Sequence, residues 1–190
     1  MLISRLQILY REKIRPELKN KLGLKNIMQV PQVSRIVLNV GAKEAVKDAK
    51  VIGTIEKIMA RIAGQAPVRT IAHKSIAGFK IREGMPLGVK VSLRGAAMYH
   101  FLDKLITVAL PTVRDFQGVS RKFDKKGRSK TGVNYNLGVQ EWTIFPEAES
   151  SSGNELVMGL NVTINTTAKS DEEAYALLAA FGMPFRKNDK

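Results

Sequence analysis

Arg35-Ile36-Val37-Leu38-Asn39-Val40-Gly41, with the Asn26-Ile27-Met28-Gln29-Val30-Pro31 stretch that leads into it, is where the fold of this chain is decided. Ile36, Leu38 and Val40 alternate as one buried face of a strand, and Val37 adds a second. The strand delivers a neutral polar residue, Asn39, and a glycine to its end. Val46, Ile52, Ile55, Met59 and Ile62 then trace a helix that stops at Gly64. Val68 to His73 and Val89-Lys90-Val91-Ser92-Leu93 read as two more strands. The Gly-rich, basic segment between them, Lys74 to Gly88, is too long to be slack.

Working outward from this core, Leu2, Leu6, Leu9 and Tyr10 recur at helical spacing until Pro16 interrupts, predicting one helix to about Lys13 and a short one from Pro16. Tyr99, Leu102, Leu105 and Ile106 repeat helically as far as Pro111. Val119, Val139 and the Trp142-Thr143-Ile144-Phe145 run suggest further strand. Leu160, Val162 and Ile164 alternate with Asn161, Thr163 and Asn165, which gives that strand a polar face. Ser170 stands three residues before Glu173, the spacing of a capping box, and Gly182 with Pro184 ends the last helix. The order predicts an α+β fold: an antiparallel β-sheet with helices packed on one face and the other free, a ferredoxin-like βαββαβ core plus N- and C-terminal helices.

At 190 residues and 44% hydrophobic content the chain can bury a real core and reads as one domain. Within it we expect a helical segment over 1–25, a protruding basic loop over 73–84 and a second basic loop over 121–133. The net charge is +14 and the pI about 10.1, so the long-range field favours a polyanion. The charge is uneven. Residues 1–140 carry 27 basic and 9 acidic groups, whereas 141–190 carry 4 and 8, so the polyanion is expected at the first three quarters of the chain. Cysteine is absent, which rules out disulfides and thiolate chemistry. No apolar run approaches the roughly 18 residues of a membrane span. The basic, amphipathic start could suggest a transit peptide, but Glu12, Glu17 and an apolar stripe continuing to Leu18 and Leu22 favour a structural helix.

No constellation of acid, base and nucleophile is visible. The only histidines, His73 and His100, lie far apart without carboxylates at metal-ligand spacing, so no metal or cofactor is expected. Phosphate-cradling glycine motifs are absent. Asp171, Glu172 and Glu173 read as offsetting a helix dipole rather than as catalysts. Three basic clusters remain, over 1–25, 68–94 and 121–130. Any one of them reads equally as a solvated face, but together they favour phosphate binding. Such contacts give affinity without specificity.

Seven blocks carry a resemblance: Gly64-Gln65-Ala66-Pro67, Ser75 to Pro86, Ser92-Leu93-Arg94-Gly95, Arg114-Asp115-Phe116, Asn134-Tyr135-Asn136-Leu137-Gly138, Phe145-Pro146-Glu147 and Gly182-Met183-Pro184-Phe185-Arg186. In this order they resemble the bacterial type of the large-subunit ribosomal protein five family over nearly the whole chain. The resemblance implies a non-enzymatic ribosomal protein, cytoplasmic on the ribosome, with an organellar ribosome also compatible. It would bind 5S ribosomal RNA in the central protuberance, together with large-subunit ribosomal RNA and other ribosomal proteins.

The resemblance also assigns residues. Asn39, Gln65 and Ser92, the last where the family usually shows Thr, match its polar readers. Amide and hydroxyl groups suit the 2′-hydroxyls and base edges of an RNA minor groove. Lys90 and Arg94 flank them as phosphate ligands. Without the family, Asn39 reads as a turn-former and Gln65 as loop. The loop from His73 to Gly84 resembles one that approaches peptidyl-site transfer RNA. His73, Lys74, Ser75, Lys80 and Arg82 would supply polar contacts there and Phe79 an apolar or stacking surface; alternatively Phe79 tucks into the core. The region 110–145 would lie near a bridge to a small-subunit head protein. Here the sequence departs from the family: Thr112 replaces an Arg, 124–133 is longer, and 149–155 matches poorly. A membrane-surface protein or an RNA-modifying enzyme would need a dominant amphipathic helix or a catalytic constellation, and an RNA-recognition motif its aromatic signature.

Overall fold

The computed structural model describes residues 4–46, 48–124, 132–149 and 157–186. Its five strands, β1 (Val33–Gly41), β2 (Val68–Ile71), β3 (Pro86–Leu93), β4 (Asn134–Val139) and β5 (Leu160–Thr166), form an open antiparallel sheet in the order β2-β3-β1-β5-β4. β3 separates β1 from β2, and the helix α3 (Lys50–Ala63) links those two strands, which is the split βαβ plan expected. The chain forms two compact units, one from residues 1–36, 94–137 and 163–190, the other from 37–93 and 138–162.

In the first unit, α1 (Arg5–Leu9) and α2 (Arg15–Lys21) are joined without a break by a π turn, Tyr10–Ile14. Leu6, Tyr10, Ile14 and Leu18 are its buried row. A row of period four drifts about 40° per step around a regular helix, and the wider turn takes up part of that drift. Pro16 has no N–H to donate, and the π turn ends just before it, with Arg15 N–H bonded to Tyr10 C=O. The same device recurs further on. The helix α4 (Gly95–Lys104) passes through a π turn, Leu105–Ala109, into α5 (Leu110–Thr112), with Leu110 N–H on Leu105 C=O and Pro111 next. The helix therefore runs through Pro111 rather than stopping there. Leu9, expected inside, is exposed, and Leu2 lies outside the described residues.

Tyr10, Tyr99 and Phe181 stack in this unit with ring centroids 5.8–6.4 Å apart, and the Tyr10 hydroxyl donates to Pro31 C=O at 2.9 Å. The helix α7 (Asp171–Ala180) is capped as predicted. Ser170 Oγ accepts from Glu173 N–H at 3.3 Å, and Glu173 Oε2 accepts from Lys169 N–H at 2.7 Å. After α7 the chain pairs with an earlier segment: Val119 N–H donates to Pro184 C=O at 2.8 Å and Arg186 N–H to Val119 C=O at 3.0 Å. Gly118, with φ +95°, touches this C-terminal backbone so closely that a Cβ would lie 3.0 Å from Arg186 N and from Pro184 O.

In the second unit α3 lays Ile52, Ile55, Met59 and Ile62 against β3, whose Val89, Val91 and Leu93 are buried. Gly64, with φ +65°, ends the helix in the left-handed conformation. Val46 belongs to a separate 3₁₀ turn, Lys43–Val46, instead of to α3. Trp142–Ile144, read as strand, is also a 3₁₀ turn; it leads into the short helix α6 (Pro146–Glu149). Trp142 and Phe145 are the buried pair, and a spacing of three fits a turn, whereas strands bury alternate residues. β2 is shorter than expected, ending at Ile71, and β3 begins earlier, at Pro86.

Candidate nucleic-acid interface

The alternation of β1 and β3 builds an open face in the second unit. In β1, Leu38 and Val40 are buried, so Asn39 points to the side away from α3 and is half-buried. In β3, Lys90 and Ser92 are exposed between the buried Val89, Val91 and Leu93. The two strands are neighbours, which puts Asn39, Lys90 and Ser92 on one surface. Gly88 keeps the strands close beneath it: a Cβ there would lie 2.5 Å from Val40 O and 2.9 Å from Thr70 Oγ1.

The register of β2 on β3 adds two residues that the motif reading missed. Val68 lies opposite Lys90 and Thr70 opposite Gly88, so both share the open face, with Val68 61% exposed. Period two puts Val68 and Thr70 on one face of β2, but which face that is follows only from the register with β3. Arg69, between them, turns the other way and pairs with Glu56 of α3. Gln65 does not join the strand residues. It is exposed in the link between the Gly64 cap and β2. Arg94 falls in the first unit, where it is exposed at the N-cap position of α4.

The basic loop is a built tongue. Ala72 N–H donates to Met85 C=O at 2.8 Å and Gly84 N–H to Ala72 C=O at 3.0 Å, closing its base. Within it Ile76 and Ile81 exchange both backbone hydrogen bonds, and Glu83 N–H donates to Ser75 Oγ at 2.9 Å. A 3₁₀ turn, Ala77–Phe79, forms the tip, followed by Lys80 at φ +55°. Phe79 is 71% exposed, which settles its two readings against the core. His73, Lys74, Lys80 and Arg82 are all exposed along the tongue.

Of the second basic loop, Arg121, Lys122, Phe123 and Asp124 are described, while 125–131 lies outside the described residues, as does Ser150 to Glu155. Arg121 sits over the Tyr175 ring at 4.7 Å. Among the described residues no three His, Asp or Glu side chains gather as a metal site, and no helix is long and apolar enough to cross a membrane.

The open face thus gathers a half-buried amide, an exposed hydroxyl and an exposed lysine, beside a cationic tongue. Two family models match the chain, that of ribosomal protein L5 over residues 26–82 and that of the C-terminus of the same ribosomal family over residues 86–185. The large ribosomal subunit protein uL5 of Burkholderia multivorans is 54% identical over 185 residues, covering 97% of this chain and 99% of its own. The chain belongs to the ribosomal protein L5 family. The uL5 proteins of Ralstonia nicotianae and Polaromonas naphthalenivorans are each 55% identical, over 96% and 97% of this chain and 98% and 99% of their own. As an L5-family member the protein is a non-enzymatic constituent of the large ribosomal subunit, cytoplasmic like the bacterial ribosome, with ribosomal RNA and other ribosomal proteins as partners.

Proposed function

We propose that this L5-family protein binds 5S ribosomal RNA through the open face of its second unit and links it to large-subunit ribosomal RNA in the central protuberance. The observation that carries the reading is the common surface of Asn39, Lys90 and Ser92, with Val68 and Thr70 beside them. The amide and hydroxyl supply donors and acceptors for a minor groove, the lysine a phosphate partner, and Val68 an apolar surface for ribose. Gln65 adds a further amide from the link after α3, and Arg94, at the start of α4 in the first unit, a separate phosphate partner. The tongue, with His73, Lys74, Ser75, Phe79, Lys80 and Arg82, reaches peptidyl-site transfer RNA. Segments within 110–145 meet a protein of the small-subunit head.

The test is competitive binding of the purified protein to 5S ribosomal RNA, transfer RNA and random RNA of equal length at about 150 mM salt. We expect 5S to win. Asn39→Ala and Ser92→Ala should each cost about 1–2 kcal/mol for that RNA alone, as for a lost hydrogen bond in a contact. Equal affinity for the three RNAs refutes the reading.

A further inference from the structure

The Asn26 to Pro31 stretch is built as rigidly as the tongue, and the open face makes no use of it. The Asn26 side chain accepts from Met28 N–H at 2.9 Å, and Gln29 N–H donates to Asn26 C=O at 3.1 Å, which closes a 3₁₀ turn, Ile27–Gln29. From α2, Arg15 Nη2 donates to Ile27 C=O at 3.3 Å and lies 3.1 Å from Met28 Sδ. Just after the turn, Pro31 C=O takes the Tyr10 hydroxyl. A turn tied down at both ends nonetheless holds its two large apolar side chains outward: Ile27 is 41% exposed and Met28 77%. Water contact at a tied-down apolar knob is costly, so its burial against a partner is favoured.

The surroundings choose the partner. Lys21 and Lys25, both exposed, precede the turn along the chain, and among the described residues neither has a carboxylate partner. A knob with such cations leading into it suits a polyanion with apolar faces. RNA loops and bulges offer that combination, because their unstacked bases are apolar above and below and phosphates run alongside. We propose that Ile27 and Met28 form a second RNA contact, in which Met28 packs on an unstacked base or ribose of ribosomal RNA while Lys21 and Lys25 hold the flanking phosphates. The contact rests on the family's partnership with ribosomal RNA and not on the open face.

The test measures binding of the purified protein to a 5S transcript and, separately, to a large-subunit ribosomal RNA transcript, with Asn39→Ala run in parallel. Met28→Ala should weaken one of the two RNAs about tenfold, the loss for one buried apolar contact. Met28→Leu should stay near wild type, since it keeps the apolar bulk and loses only the sulfur. Lys21→Gln with Lys25→Gln should flatten the salt dependence of the same RNA by about two phosphate contacts. Wild-type affinity of Met28→Ala for both transcripts overturns the proposal. Loss of a neighbouring protein from Met28→Ala ribosomes with RNA binding intact overturns it too, because the knob would then be a protein contact. A 5S loss confined to Asn39→Ala, with Met28→Ala at wild type on both transcripts, leaves the open-face reading standing while sinking this one. A wild-type protein without 5S preference sinks the open-face reading, and Met28→Ala on the large-subunit transcript still decides the knob.

Discussion

Arg69 of β2 and Glu56 of α3 clasp through two hydrogen bonds, Nε to Oε1 at 2.5 Å and Nη2 to Oε2 at 2.9 Å. Because Arg69 faces Val89 on the helix side of the sheet, the clasp fixes which residues of β2 look outward. The same hydrogen bond from Arg69 holds the Glu56 carboxyl below its ordinary value of 4.5. A depressed carboxyl contributes stability above the unfolded pKa and loses it as pH falls through the folded one. Urea midpoints measured through pH 4.5 and below should therefore fall more steeply for the wild type than for Arg69→Met. The difference should be small, since the pair is solvent-screened. Parallel curves would show that the clasp contributes nothing.

Gly88→Ala should destabilise the protein by about 1–3 kcal/mol, because the added methyl has only the Val40 carbonyl and the Thr70 hydroxyl to push against. Gly41→Ala is the matched control, with nothing within 4 Å of its Cβ. Chemical denaturation of the two variants should separate them clearly. Equal midpoints would mean that the strands relax at no cost.

Burial, with a further push from Tyr99, raises the Tyr10 hydroxyl to about 12 from its ordinary 10.0. Above pH 10 the unfolded chain gives up this proton while the folded chain keeps it, so stability falls as pH rises toward 12. Tyr10→Phe should lose part of that alkaline slope, and the tyrosinate absorbance of the folded wild type should lag that of the unfolded chain. A Phe variant with an unchanged slope would assign the effect elsewhere.

Neutralising Lys74, Lys80 and Arg82 together should leave 5S binding intact and speed the release of peptidyl-site transfer RNA from purified ribosomes. These side chains are exposed on a tongue whose hydrogen bonds are internal, so their loss removes a contact without unfolding a unit. Particles that lack 5S RNA but release transfer RNA at the normal rate would make the tongue an assembly element.

Strong periodicity was legible in the sequence and long-range pairing was not. The alternation from Ile36 to Val40 and the stripe from Ile52 to Ile62 gave the strand and helix beneath the open face, and Ser170 with Glu173 gave a cap to the residue. Trp142 misled because its apolar run looks like a strand until Phe145 is seen buried three residues on. Pro16 and Pro111 read as helix ends, since local rules do not reveal that a π turn upstream lets the helix continue. Asn39 and Ser92 emerged from motif resemblance. Val68 and Thr70 stayed hidden because their facing depends on the β2–β3 register, a property of two segments together.

The hydrogen bonds between Val119 and the Pro184–Arg186 backbone set an order on synthesis. The first unit is drawn from three separated stretches, and the Tyr10 ring waits for Phe181, which is made long after it. The strands and helix of the second unit are complete by residue 162. A nascent chain can thus complete the open face of its second unit before the Tyr10 ring has met Phe181, and a basic polypeptide with its first unit unfinished is then most in need of a companion or a chaperone.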